Sequence, residues 1–79
     1  MKGIDIMFNE FLAMANKLIG MGCIVDMTLT DNDTIMVIFN DEYSENEGHM
    51  IDDFINFIWD CRHDILIEEG YNIMYDFYN

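Results

Sequence analysis

Asp52, Asp53, Asn56, Asp60, His63 and Asp64 are the residues whose types and spacing carry the clearest chemistry in this chain. At about 100° per residue, a helix gathers all six within an arc of about 120°, opposite Phe54, Ile58 and Ile65. At about 1.5 Å per residue the line from Asp52 to Asp64 is about 18 Å long and holds a negative charge roughly every 4.5 Å. One strand of DNA carries a phosphate about every 3.4 Å of axis, so the aspartates approach phosphate density. The chemistry open to such a line is the pairing of carboxylates with Lys and Arg of a partner.

A solvated helix face is usually charged, but it usually mixes signs. Glu and Lys four residues apart stabilise a helix, and like charges at that spacing oppose it. Here Asp60 and Asp64 form a like-charge pair with no Lys within reach, and aspartate is a poorer helix former than glutamate. A short, stiff carboxylate holds its charge at a fixed place, which suits recognition better than solubility. Asp41, Glu42, Glu45 and Glu47 precede the line in a polar stretch, and Asp31 and Asp33 add two more acids at a turn. These ten acids, Asp31, Asp33, Asp41, Glu42, Glu45, Glu47, Asp52, Asp53, Asp60 and Asp64, are the candidate partner-binding set.

The elements that must position them can be read from hydrophobic period. Ile4, Met7, Phe8, Phe11, Leu12, Met14, Ala15, Leu18 and Ile19 have the three-and-four spacing of an amphipathic helix, ended by Gly20 and Gly22. Cys23 to Thr30 then alternates, with Cys23, Val25, Met27 and Leu29 on one side and Asp26, Thr28 and Thr30 on the other. Asp31, Asn32 and Asp33 tolerate positive φ and lead into a β-branched run from Thr34 to Phe39, so the two strands make a hairpin. Residues 40–48 read as a polar loop. His49 to Glu69 reads as a second helix whose apolar arc includes Met50, Ile51, Phe54, Ile58, Trp59, Cys61, Ile65 and Leu66, stopped by Gly70. Tyr71 to Tyr78 alternates as a third strand.

The expected fold is therefore α+β, one domain over residues 1–79, with order αββαβ. A right-handed crossover sets strand three parallel to strand two, and laying it beside strand one gives a three-stranded antiparallel sheet with both helices on one face. The other face, with Asp26, Thr28, Thr30, Asn72 and Asp76, meets solvent or a partner. Met36 and Met74 could make an adaptable contact patch there.

Composition limits the function classes. Fourteen of the sixteen carboxylates follow residue 22 with Arg62 as their one basic companion, so that region holds the whole net charge of −13. The first 22 residues balance Asp5 and Glu10 against Lys2 and Lys17. Half the residues are apolar and eleven are aromatic, which is not the composition of a disordered chain. Asp5, Asn9 and Glu10 interrupt any apolar signal segment, no run approaches the roughly 20 residues that span a bilayer, and acidic lipids repel an anionic surface, so no membrane role and a cytoplasmic location are expected.

Cys23 and Cys61 are too few for a disulfide framework and lack metal-ligand spacing, so they read as buried free thiols in a reducing compartment. Asp31 and Asp33 open like a calcium loop, but Ile35 and Met36 stand where an oxygen ligand and a glycine are needed. His49 and His63 lie fourteen residues apart without a third ligand. Ser44, the only serine, has no partner arrangement for nucleophilic catalysis. No cofactor, metal or enzymatic activity is expected. Arg62 falls near Trp59 and Leu66, where its guanidinium can stack on the indole.

In size, acidity, lack of catalytic motifs and the line from Asp52 to Asp64, the chain resembles the small acidic phage-encoded inhibitors of nucleic-acid-binding proteins: anti-CRISPR proteins, anti-restriction proteins and inhibitors of uracil-DNA glycosylase. Those families share no sequence signature, so no residue role is carried over. The resemblance implies DNA mimicry: the acidic surface occupies the basic groove of a CRISPR effector, restriction enzyme or repair enzyme in the host cytoplasm and excludes nucleic acid, without binding nucleic acid itself. The alternatives from another class are an antidote that neutralises a basic toxin, and an acidic homo-oligomeric module such as a homodimer, joined through apolar and aromatic surfaces such as strand three with Tyr75, Phe77 and Tyr78.

Overall fold

A computed structural model describes residues 3–78, with side chains from Met7 onward. Lys2, and the side chains of Ile4 and Asp5, lie outside the described residues. The elements run α1 (Gly3–Gly20), β1 (Ile24–Leu29), β2 (Thr34–Asn40), α2 (Glu45–Glu69) and β3 (Asn72–Tyr78), so the αββαβ order is as the sequence predicts.

Both helices turn their apolar stripes onto one face of the sheet. Phe11, Ala15 and Leu18 from α1 meet Ile51, Phe54, Ile58, Cys61 and Ile65 from α2. Ile35, Val37 and Phe39 from β2 and Ile73 from β3 close the core beneath them. Phe54 is the hinge of this packing, with ring centroids 5.5 Å from Phe11 and 6.1 Å from Phe39.

The sheet is mixed, which corrects the expected antiparallel arrangement. Its order is β1-β2-β3: β1 pairs antiparallel with β2, and β3 pairs parallel with β2 across the α2 crossover. The direction of β3 is as expected, but its neighbour is β2 and not β1. The reason is burial. β2 is the only strand with no charge and an almost unbroken apolar run, as a strand covered on both edges should be. β1 and β3 carry Asp26 and Asp76 and take the edges.

A second correction concerns β1. The pairing shifts between Ile24 and Asp26, so Val25 is an extra residue in a bulge. Simple alternation would bury Val25 and expose Ile24; the structure buries Ile24 and leaves Val25 exposed. The bulge resets the phase so that Ile24 and Met27, three apart, both face the core.

The helix ends are built as their glycines require. After α1, Gly22 has φ 81°, its N–H donates to the Ile19 carbonyl, and the Cys23 N–H donates to the Leu18 carbonyl. This is the Schellman pattern, with buried Cys23 and Leu18 as its apolar contact. Gly70, φ 78°, ends α2 by donating to the Leu66 carbonyl.

Candidate interaction surface

α2 begins at Glu45, four residues before the expected start at His49, because Ser44 caps it. The Ser44 Oγ accepts from the Glu47 N–H (3.2 Å), and the Ser44 N–H donates to Glu47 Oε1 (2.9 Å). These two bonds form a capping box, and the acids of the first turn, Glu45 and Glu47, sit where the helix dipole favours negative charge. The Glu47 carboxylate thus has a structural duty. The loop shrinks to residues 41–44, where the Asn40 side chain accepts from the Glu42 N–H (2.9 Å) and donates to the Gly22 carbonyl (3.2 Å).

The central line is assembled as the helical period predicts. Asp52, Asp53, Asn56, Asp60, His63 and Asp64 are all exposed along α2. Ile67, 63% exposed, interrupts the same face beyond Asp64. Arg62, the one Lys or Arg after residue 22, stacks on Trp59: its guanidinium carbon lies 4.9 Å from the centre of the Trp59 ring. That stacking is as the sequence predicts. Trp59 itself is not in the core; it is 58% exposed and donates through Nε1–H to the Tyr75 hydroxyl (3.3 Å). Leu66, also expected inside, is exposed.

The remaining acids do not form one patch with the line. Asp41 and Glu42 follow the end of β2, whereas Asp31 and Asp33 precede its start, about 20 Å away for a seven-residue strand. All four are exposed, and Asp33 occupies the left-handed region at φ 55°. Its carbonyl accepts from the Asn72 N–H (2.9 Å), which ties the hairpin tip to the start of β3.

The charges of α1 were not legible as part of this surface. Lys17 lines the same cleft between the helices as Asp53, so the charge there is tempered. At the other end Glu10 acts on the Cys61 thiol together with Asp60 and Asp64. Burial pushes that thiol's pKa up, a backbone hydrogen bond works against the rise, and the three carboxylates add to it. Glu10 on α1 thus lies toward the Asp60 and Asp64 end of α2. Antiparallel packing of α1 on α2 produces this placement, and no spacing in the sequence announces a helix partner.

Cys23 and Cys61 are free and buried, as expected, and burial also raises the Cys23 pKa. Among the described residues no three His, Cys, Asp or Glu side chains converge to hold a metal ion, and no helix is long and apolar enough to cross a membrane.

On β3, which forms an edge of the sheet, the Ile73 N–H donates to Asn72 Oδ1 (3.1 Å) and the Phe77 N–H to Asp76 Oδ1 (2.8 Å). These donors face away from β2, since the Asn72 N–H points toward it. No protein-family model matches the sequence, and no curated protein or solved structure matches the chain.

Proposed function

We propose that this chain is an acidic inhibitor that places α2 in the basic nucleic-acid-binding groove of a target protein and excludes the nucleic acid by mimicking its charge. The observation that carries this reading is the exposed line from Asp52 to Asp64, beside which Arg62, the one Lys or Arg after residue 22, is stacked on Trp59. A CRISPR effector, a restriction enzyme or a repair enzyme offers a groove of that chemistry. Binding is electrostatic in approach, so association is fast at low salt, on the order of 10⁸ M⁻¹s⁻¹, and falls steeply as salt rises. The occupied edge donors of β3 favour this reading over a homo-oligomer joined strand to strand, because a pairing chain would have to displace Asn72 and Asp76 first.

The experiment is a capture from cell lysate at low salt, elution of basic proteins by rising salt, and a DNA mobility-shift competition with each captured protein. The wild type should release DNA from its target. Asp60→Lys with Asp64→Lys should fold at least as stably, since it removes a like-charge pair, and should no longer compete. Undiminished competition by that double variant would remove the line from the mechanism.

A further inference from the structure

The sheet face that the helices leave bare is chemically unlike α2. Its centre is apolar: Met36 and Ile38 project from β2, flanked by Met74 on β3, and by Val25 and Tyr78 toward one end. Met74, Val25 and Tyr78 are 47%, 48% and 64% exposed. Its margins are acidic. Ile38 is paired with Asp26 on β1 and with Asp76 on β3, so a carboxylate stands on each side of the apolar centre. Asp41 and Glu42 lie at one end, where they share a depression with Val25 and Tyr78. Lys17 and Arg62 are both on the helices behind the sheet, so no described Lys or Arg reaches this face.

We propose that this face is a second docking surface, and that its occupant is an amphipathic helix of a partner protein, apolar along one side with Lys or Arg on both margins of that side. The dimensions fit one helix. The two edge strands are about 9.6 Å apart and the strands are about 20 Å long, which matches a helix about 10–12 Å across and about 14 residues in length. Methionine side chains adapt to such a partner. Charge weighs against the other occupants: a second copy would bring another acidic face against Asp26 and Asp76, and nucleic acid would meet carboxylates on both sides. The surface is independent of the line on α2, which lies on the far side of the sheet.

The test uses the full chain with labelled methyl and amide groups, titrated by NMR with a synthetic 18-residue Leu/Lys amphipathic helix and, in parallel, with oligolysine. The Leu/Lys peptide should give saturable shifts at the methyls of Met36, Ile38 and Met74, and oligolysine should not. Asp26→Asn with Asp76→Asn should weaken peptide binding about tenfold. Asn72 already holds its neighbour's N–H in β3 as Asp76 does, so that variant keeps the local geometry. Asp60→Lys with Asp64→Lys should bind the peptide as the wild type does, and this separates the proposal from DNA mimicry. Shifts confined to α2, no saturable shift at the sheet methyls, or concentration-dependent shifts there without peptide would each overturn it.

Discussion

Ser44 and Glu47 show how one residue pair can carry two meanings. In the sequence they sit among Asp41, Glu42, Glu45 and Asn46, and the density of polar side chains reads as loop. The Ser-x-x-Glu spacing that starts a helix was present, but composition outweighed it. In the structure the two side chains satisfy backbone donors that the first turn of α2 would otherwise leave open. Ser44→Ala should therefore destabilise the protein by about 1 kcal/mol, read as a lower urea midpoint at unchanged slope, although Ser44 is exposed. Glu47→Gln should cost less, because an amide oxygen can accept the same bond. A neutral Ser44→Ala would mean that the cap contributes nothing. The presence of Glu47 in the candidate set is thus explained without any partner.

At the scale of elements, what the period of apolar residues controls was legible and what pairing controls was not. Phe11, Ala15 and Leu18, and Ile51, Phe54, Ile58, Cys61 and Ile65, fall where a three-and-four repeat puts them. Alternation failed at Val25 because a bulge is an event between two strands, and only the partner's register reveals it. Strand order failed for a related reason: direction follows from the crossover, but choosing β2 over β1 as the neighbour depends on which strand can be covered on both edges. The uncharged run from Thr34 to Phe39 held that information, with Asp26 and Asp76 marking the edges. Glycines at the end of α1 give an opposite-signed test. Gly20 is helical with open space where a Cβ would go, whereas Gly22 is left-handed. Gly20→Ala should stabilise by about 0.5–1 kcal/mol and Gly22→Ala should destabilise by about 1–2 kcal/mol, measured by thermal or urea unfolding. Equal effects at the two positions would contradict the Schellman ending of α1.

The whole molecule spreads a net charge of −13 over a body measuring 37 × 25 × 19 Å. In 0.01 M salt the screening length is about 30 Å, longer than the two shorter dimensions, so the acids of α2 and those of the sheet repel one another through and around the core. In 1 M salt it falls to about 3 Å, and only neighbours such as Asp60 and Asp64 still interact. Unfolding moves the charges apart, so repulsion weighs against the folded state most at low salt. Stability should therefore rise with sodium chloride between those limits, by a few degrees in melting temperature, whereas binding to a basic target should weaken over the same range. Opposite responses of fold and binding to salt would support the reading that the acids serve a partner. Asp60→Lys with Asp64→Lys should flatten both responses, because it takes the net charge from −13 to −9 by changing the line on α2. A melting temperature indifferent to salt would show that the acids are too well separated to strain the fold, and would remove the energetic reason for assigning them to a partner.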